Sequence, residues 1–160
     1  MEDLKNLAIK KLNERGVTLD DITNILKSIQ GGYRELSDKE CMDSILYVVS
    51  KREAIYTILT GIALDEAAEK GLLDEEINNL ITSDNGLYGI DEILALSIVN
   101  MNGSIALTNF GHLDKVKPGV IGKLDKEGKE GSRCHTFLDD IVCAIVSSAA
   151  SRIAHNIEKK

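Results

Sequence analysis

Five carboxylates stand where carboxylates are costly. Asp91 and Glu92 open the apolar run "IDEILALSIV", Asp139 and Asp140 open "LDDIVCAIVSSAA", and Asp114 lies between them in "HLDKVKP". One explanation is structural: an acid near a helix N-terminus caps free amides and interacts favourably with the helix dipole, at about 0.3–1 kcal/mol. That accounts for one acid per helix. It accounts less well for doublets, because adjacent residues point about 100° apart on a helix and one of each pair must turn inward or sideways. Close like charges in a dry environment need a counter-charge. A divalent cation supplies it, and magnesium, which takes oxygen ligands and keeps several waters, suits a few carboxylates drawn from different helices. Cations stand nearby: Lys115 and Lys117 flank the Asp114 motif, and Arg133 and His135 precede Asp139. Carboxylates that hold a metal, with Lys and Arg beside them, form a setting for a phosphate group. The bland alternatives are an exposed Arg133 and a His135 that serves as a structural hydrogen-bonder.

The rest of the chain limits what these residues can be part of. It has 160 residues, 43% hydrophobic and 28% charged, enough for one core and typical of a globular domain. A formal net charge of −7 argues against nucleic acid or anionic lipid as a partner held by bulk electrostatics. The charge is uneven. Asp65 to Glu92 carries nine acids and one base, whereas His112 to His135 carries six Lys or Arg against four acids. These are either two solvated faces or two sides of one site. Three cysteines, Cys41, Cys134 and Cys143, form no CxxC pair and no zinc spacing, which together with the lack of a signal peptide predicts a cytoplasmic protein. The longest apolar segment, Ile141 to Ala154, is interrupted by serines and Arg152, so no transmembrane span is expected and membrane contact is peripheral at most.

The elements that must position the acids read as helices. Leu4, Leu7, Ala8 and Leu12 form a helical stripe ended by Gly16. Thr18 is placed to cap a second helix that closes at Gly31-Gly32. "SDKE" at Ser37 and "SKRE" at Ser50 are both capping-box signatures, opening helices towards Val49 and Lys70. A short acidic helix follows from Asp74 to Ile81, then a turn over Thr82–Gly89. The helix from Ile90 to Asn100 is apolar nearly all round and is expected to be buried. Residues 103–135, with glycines at 103, 111, 119, 122, 128 and 131, read as irregular apart from one short helix after Pro118. The last helix runs from about Thr136, its expected cap, to Asn156. The expected fold is all-α: one multihelical domain of about six to eight helices over residues 1–160, with an N-terminal helical arm (1–57) and a motif-bearing core (58–160). Faces that are apolar all round predict a homo-oligomer.

"DNGLYGIDE", "LDKVKP" and "LDDIVCAI" resemble, in order, the motifs of the bacterial phosphatidylglycerophosphatase A family, roughly D-x-G-x(4)-D-E, D-x-x-K-P and D-D-x-x-A/G. Asp84, Gly86, Asp91 and Glu92 fall on the first, Asp114, Lys117 and Pro118 on the second, and Asp139 and Asp140 on the third. A looser match, "GIALDEAAEKG", spans Gly61 to Gly71. The resemblance covers about residues 58 to 150 and implies a magnesium-dependent phosphatase of phospholipid metabolism that removes the terminal phosphate of phosphatidylglycerophosphate. The chain departs from family enzymes in lacking an upstream Gly/Pro-rich motif and hydrophobic spans, and Gly111 stands where an arginine is usual. It is therefore similar to a soluble, YutG-like branch, and its substrate could be a lipid head group or a phosphorylated small molecule.

These readings converge on a metal-dependent phosphomonoesterase. Asp91, Glu92, Asp114, Asp139 and Asp140 would hold one or two Mg²⁺. Lys117, Lys115, Arg133 and His135 would face the phosphate, with Arg133 a candidate for the missing arginine clamp. Covalent routes fit poorly: there is no DxDx[TV] or Cx₅R motif, and six residues after Cys134 stands Asp140. Two alternatives stay open. One is an all-α magnesium-dependent nucleotide pyrophosphohydrolase, for which "LDEEINN" at Leu73 to Asn79 is a faint candidate motif. The other is a non-catalytic helical protein that retains the metal site.

Overall fold

The computed structural model describes residues 1–32 and 34–157; of Ile157 only the backbone is considered. Among the described residues there are nine α-helices and no strand: α1 (Glu2–Glu14), α2 (Leu19–Gln30), α3 (Asp38–Val49), α4 (Arg52–Glu69), α5 (Glu75–Thr82), α6 (Ile90–Val99), α7 (Gly103–Val116), α8 (Val120–Lys129) and α9 (Leu138–Ile157). No described helix is long and apolar enough to cross a membrane.

The organising element is α9. Every residue from Cys134 to Ser151 is buried, as expected of a helix that is apolar on all sides. Helices α2, α3, α4, α6, α7 and α8 all pack against it. Two of its buried serines find acceptors: Ser147 donates to the Ala144 carbonyl at 3.1 Å, and Ser151 to that of Asn102 at 2.7 Å, whereas Ser148 Oγ has no partner among the described residues. From α3, Ser44 donates to the Ala149 carbonyl at 2.9 Å. Residues from the first 57 positions (Ala8, Leu12, Ile22, Leu26, Ile45) and from the rest (Ile58, Ile98, Leu113, Ile141) share one continuous core.

Local sequence determines several boundaries. Thr18 and Ser37 each form a full capping box, with Asp21 and Glu40 returning the bond to the cap amide. The Ser50 signature does not work the same way. Ser50 Oγ donates back to the Tyr47 carbonyl at 2.7 Å, and α4 starts from Lys51 without a side-chain cap.

Two expectations are corrected. Residues 103–135 are not mostly irregular: besides the expected short helix after Pro118, which is α8, they hold the 14-residue α7. The glycines concealed α7, each costing about 0.5–1 kcal/mol in a helix interior. The stripe Ala106, Phe110 and Leu113 outweighs that cost by burying itself against α9. Helix α6, for its part, is not buried all round: Ile93 is 63% exposed and Ile90 48%. One face of α6 packs on α4 and α9 while the other looks outward.

Candidate metal centre

Because α9 is the innermost helix, its first turn brings Asp139 and Asp140 inside the bundle, where they are only 5% and 3% exposed. Asp139 Oδ1 accepts the Asp140 amide at 2.9 Å, but the two amides before the doublet are not left to either of its acids. They fall to Asp65 in the middle of α4, which accepts the Phe137 amide on Oδ1 and the Leu138 amide on Oδ2, both at 3.0 Å. Thr136, the expected cap, donates instead to the Ile81 carbonyl. Gly61, one turn before Asp65 on the same face, lets α4 approach: a Cβ there would run into Ile141 Cδ1 and lie 3.2 Å from Phe137 Cβ. Asp65 is fully buried, and burial lifts its pKa to about 7, restrained by the two amides and by Arg15. Sequence reading passed over it, although a lone acid four residues after a glycine on an otherwise small and apolar face was the available signal.

With the helix start provided for, Asp140 is left to meet the acids of α6. One carboxylate oxygen each from Asp91, Glu92 and Asp140 lie within 4.8 Å of one another, a grouping able to hold a metal ion. Gly89, at φ +70°, ends the preceding turn in a left-handed conformation and starts α6 without a side-chain cap, so Asp91 and Glu92 are the first acids of the helix. Asp91 Oδ1 and Glu92 Oε2 are buried and have no hydrogen-bond partner among the described residues. Buried carboxylate oxygens without donors are costly. The pKa of Asp91 is raised by burial and by Glu92 beside it. That of Asp140 is raised further, by burial and then by the charges of Asp139, Asp114, Asp91 and Glu92. Such a grouping has the oxygen donors and the charge for a hard divalent ion.

The other two predicted acids lie in the same region with a different partner. Lys117 Nζ lies 2.8 Å from Asp139 Oδ2 and 3.3 Å from Asp114 Oδ1. It also lies 3.7 Å from Asp125 on α8, an acid the sequence did not single out. Burial opposes the charge on the amine, but Asp139, Asp114 and Asp140 drive its pKa upward, so it stays charged. Asp139 is lifted to about 6 by burial, with Lys117 opposing. A crevice lined by Asp84, Asp125, Thr136, His135 and Asp139 adjoins this half of the site.

The remaining predicted cations do not join the trio. His135 is buried, with Nε2 2.9 Å from Glu127 Oε2 and Nδ1 3.3 Å from an Arg15 guanidinium nitrogen. Burial lowers its pKa. Arg15, itself 2% exposed, makes a paired contact with Glu69, whose Oε1 also accepts the Cys134 amide at 2.7 Å. His135 thus belongs to a buried network that ties α1 and α4 to the approach to α9. Arg133 and Lys115 are exposed, and neither has an ion-pair partner among the described residues. Glu75 and Glu76, from the faint pyrophosphohydrolase-like motif, are exposed on α5 and contribute nothing to the cluster.

Comparison with known proteins shows what the chain is similar to. The chain is 50% identical over 156 residues to the uncharacterized protein YpjQ of Bacillus subtilis, covering 97% of this chain and 86% of that one. It is 46% identical to the uncharacterized protein YutG of the same organism, covering 91% and 87%. The crystal structure of the low temperature requirement C protein from Listeria monocytogenes superimposes with a TM-score of 0.93 at 49% identity, over 97% of each chain. The family model for phosphatidylglycerophosphatase A matches residues 40–155, and the chain belongs to that family.

Proposed function

We propose that the chain is a magnesium-dependent phosphomonoesterase of the phosphatidylglycerophosphatase A type. The observation that carries this reading is the trio Asp91, Glu92 and Asp140, with two buried oxygens, Asp91 Oδ1 and Glu92 Oε2, left without donors. In this reading the trio holds the ion. When bound, the ion supplies Lewis acidity, offsetting charge on a phosphoryl group and acidifying water. Asp139 and Asp114 keep Lys117 charged beside it, and the amine is the chain's own positive group for the phosphate oxygens. Asp65 fixes the start of α9 and with it the position of Asp140.

Phosphatidylglycerophosphate is the substrate that family membership favours. The segment that carries Asp91 and Glu92 suits an amphiphilic molecule: Leu87, Ile90 and Ile93 along it are exposed, Leu87 at 97%. These exposed apolar side chains offer an acidic protein a non-electrostatic route to peripheral contact with a lipid surface.

The test is a product assay on the purified chain with magnesium. The substrates are phosphatidylglycerophosphate in detergent micelles, simple phosphomonoesters and nucleoside triphosphates. The expected result is release of inorganic phosphate from phosphatidylglycerophosphate, abolished by a chelator. Release of pyrophosphate from the triphosphates would identify a pyrophosphohydrolase instead, and no product from any substrate would leave a non-catalytic helical protein.

A further inference from the structure

The acids of the site divide into two groups with opposite needs. Asp91, Glu92 and Asp140 face one another with no Lys or Arg among them. Asp114 on α7, Asp125 on α8 and Asp139 on α9 converge on a single ammonium, at 3.3, 3.7 and 2.8 Å from Lys117 Nζ. Three carboxylates drawn from three helices around one positive centre is also the kind of oxygen-donor set that a divalent ion takes. An ammonium seated among these oxygens displaces such an ion.

The backbone is shaped to deliver that ammonium. Lys117 has φ 49° and ψ 58°, a left-handed conformation that few non-glycine residues adopt and that costs on the order of 1–2 kcal/mol. Pro118 follows it and prevents α7 from continuing. Gly122 stands where a Cβ would lie 2.5 Å from the Lys117 carbonyl oxygen, so α8 closes tightly over the strained residue. The same conformation caps α7, the Lys117 amide donating to the Leu113 carbonyl at 2.7 Å.

Resting on the trio as the metal ligands, we propose that Lys117 is a built-in second cation: it fills the Asp114–Asp125–Asp139 half of the site and limits the centre to one divalent ion. Asp125 is then part of the site as a positioning residue for Lys117, a task it shares between Lys117 and Lys129, whose Nζ lies 2.6 Å from Asp125 Oδ2.

Manganese, a divalent ion that takes similar oxygen ligands and is countable by its electron paramagnetic resonance signal, is the probe. Equilibrium binding to the full chain should give one manganese per wild-type chain, one for Lys117→Arg and two for Lys117→Met. The neutral variant is expected to be destabilised without metal and restored by saturating manganese, because the second ion replaces the missing charge. Two ions in the wild type, one ion in Lys117→Met, or a Lys117→Met chain that stays unfolded at saturating manganese would each overturn the inference while leaving the trio in place. No manganese on the wild type would overturn the trio as metal ligands and this inference with it.

Discussion

An Asp140→Asn chain should melt at a higher temperature than the wild type in the absence of divalent ions, and with magnesium it should hydrolyse phosphomonoesters roughly 100-fold more slowly or worse. The two effects have one cause. Asp140 is buried amid Asp139, Asp114, Asp91 and Glu92, and without metal its charge is opposed by all of them. Removing that charge relieves repulsion in a dry site. The same change deletes a ligand, which both loosens and misplaces the ion. The sign extends to pH. Carboxylates whose folded-state pKa is raised bind more protons folded than unfolded, so they contribute stability at low pH that is lost as pH rises. For Asp91 and Asp140 the loss starts above the ordinary value of 3.8 and runs through neutrality. The metal-free wild type should therefore lose melting temperature from mildly acidic to mildly alkaline pH, more steeply than Asp140→Asn. A steeper loss in the variant would contradict the repulsion argument. If the doublet merely capped α9, Asn would serve nearly as well and activity would persist.

Asp65→Ala should be the most destabilising single change near the site, by about 2–5 kcal/mol, since it removes a cap and leaves two buried amides, Phe137 and Leu138, without acceptors. Asp65→Asn should also destabilise, by about 1–3 kcal/mol, because its NH₂ group would confront an amide donor where a carboxylate oxygen now accepts. Both should weaken magnesium binding, since the first turn of α9 carries Asp140. Chemical denaturation with and without magnesium measures this. A melting temperature unchanged in Asp65→Ala would show that α9 starts independently of α4.

What could be read from the sequence followed the range of the interactions. Thr18 with Asp21, and Ser37 with Glu40, are cap and partner three residues apart, and both helix starts are where the sequence puts them. The burial of α9 was legible because its composition leaves no polar face. The α7 helix was not, because Gly103 and Gly111 weigh against a helix locally and only packing on α9 outweighs them. Within the site, the gathering of Asp91, Glu92 and Asp140 was suggested by the cost of paired acids on apolar helices. Which acids pair with which cation was not legible. Lys117 reaches Asp139, 22 positions away, from a left-handed backbone that nothing in "DKVKP" announces. Asp65 meets amides 72 and 73 positions away, and such a bond has no local signature. His135 looked like a site residue by its proximity to Asp139, yet its ring bonds back to α8 and α1.

The most direct test of the central claim is a magnesium titration of the metal-free chain near neutral pH, followed by calorimetry and by thermal melting, for the wild type and Asp140→Asn. A site that binds only the folded chain should raise the wild-type melting temperature by roughly 5–10 °C at about 100 times its dissociation constant. The wild type should therefore bind saturably and melt higher, while the variant should show neither heat nor shift over the same range. A wild type whose melting temperature ignores magnesium, or an Asp140→Asn chain that binds it equally well, would contradict the assignment of Asp91, Glu92 and Asp140 as a metal centre.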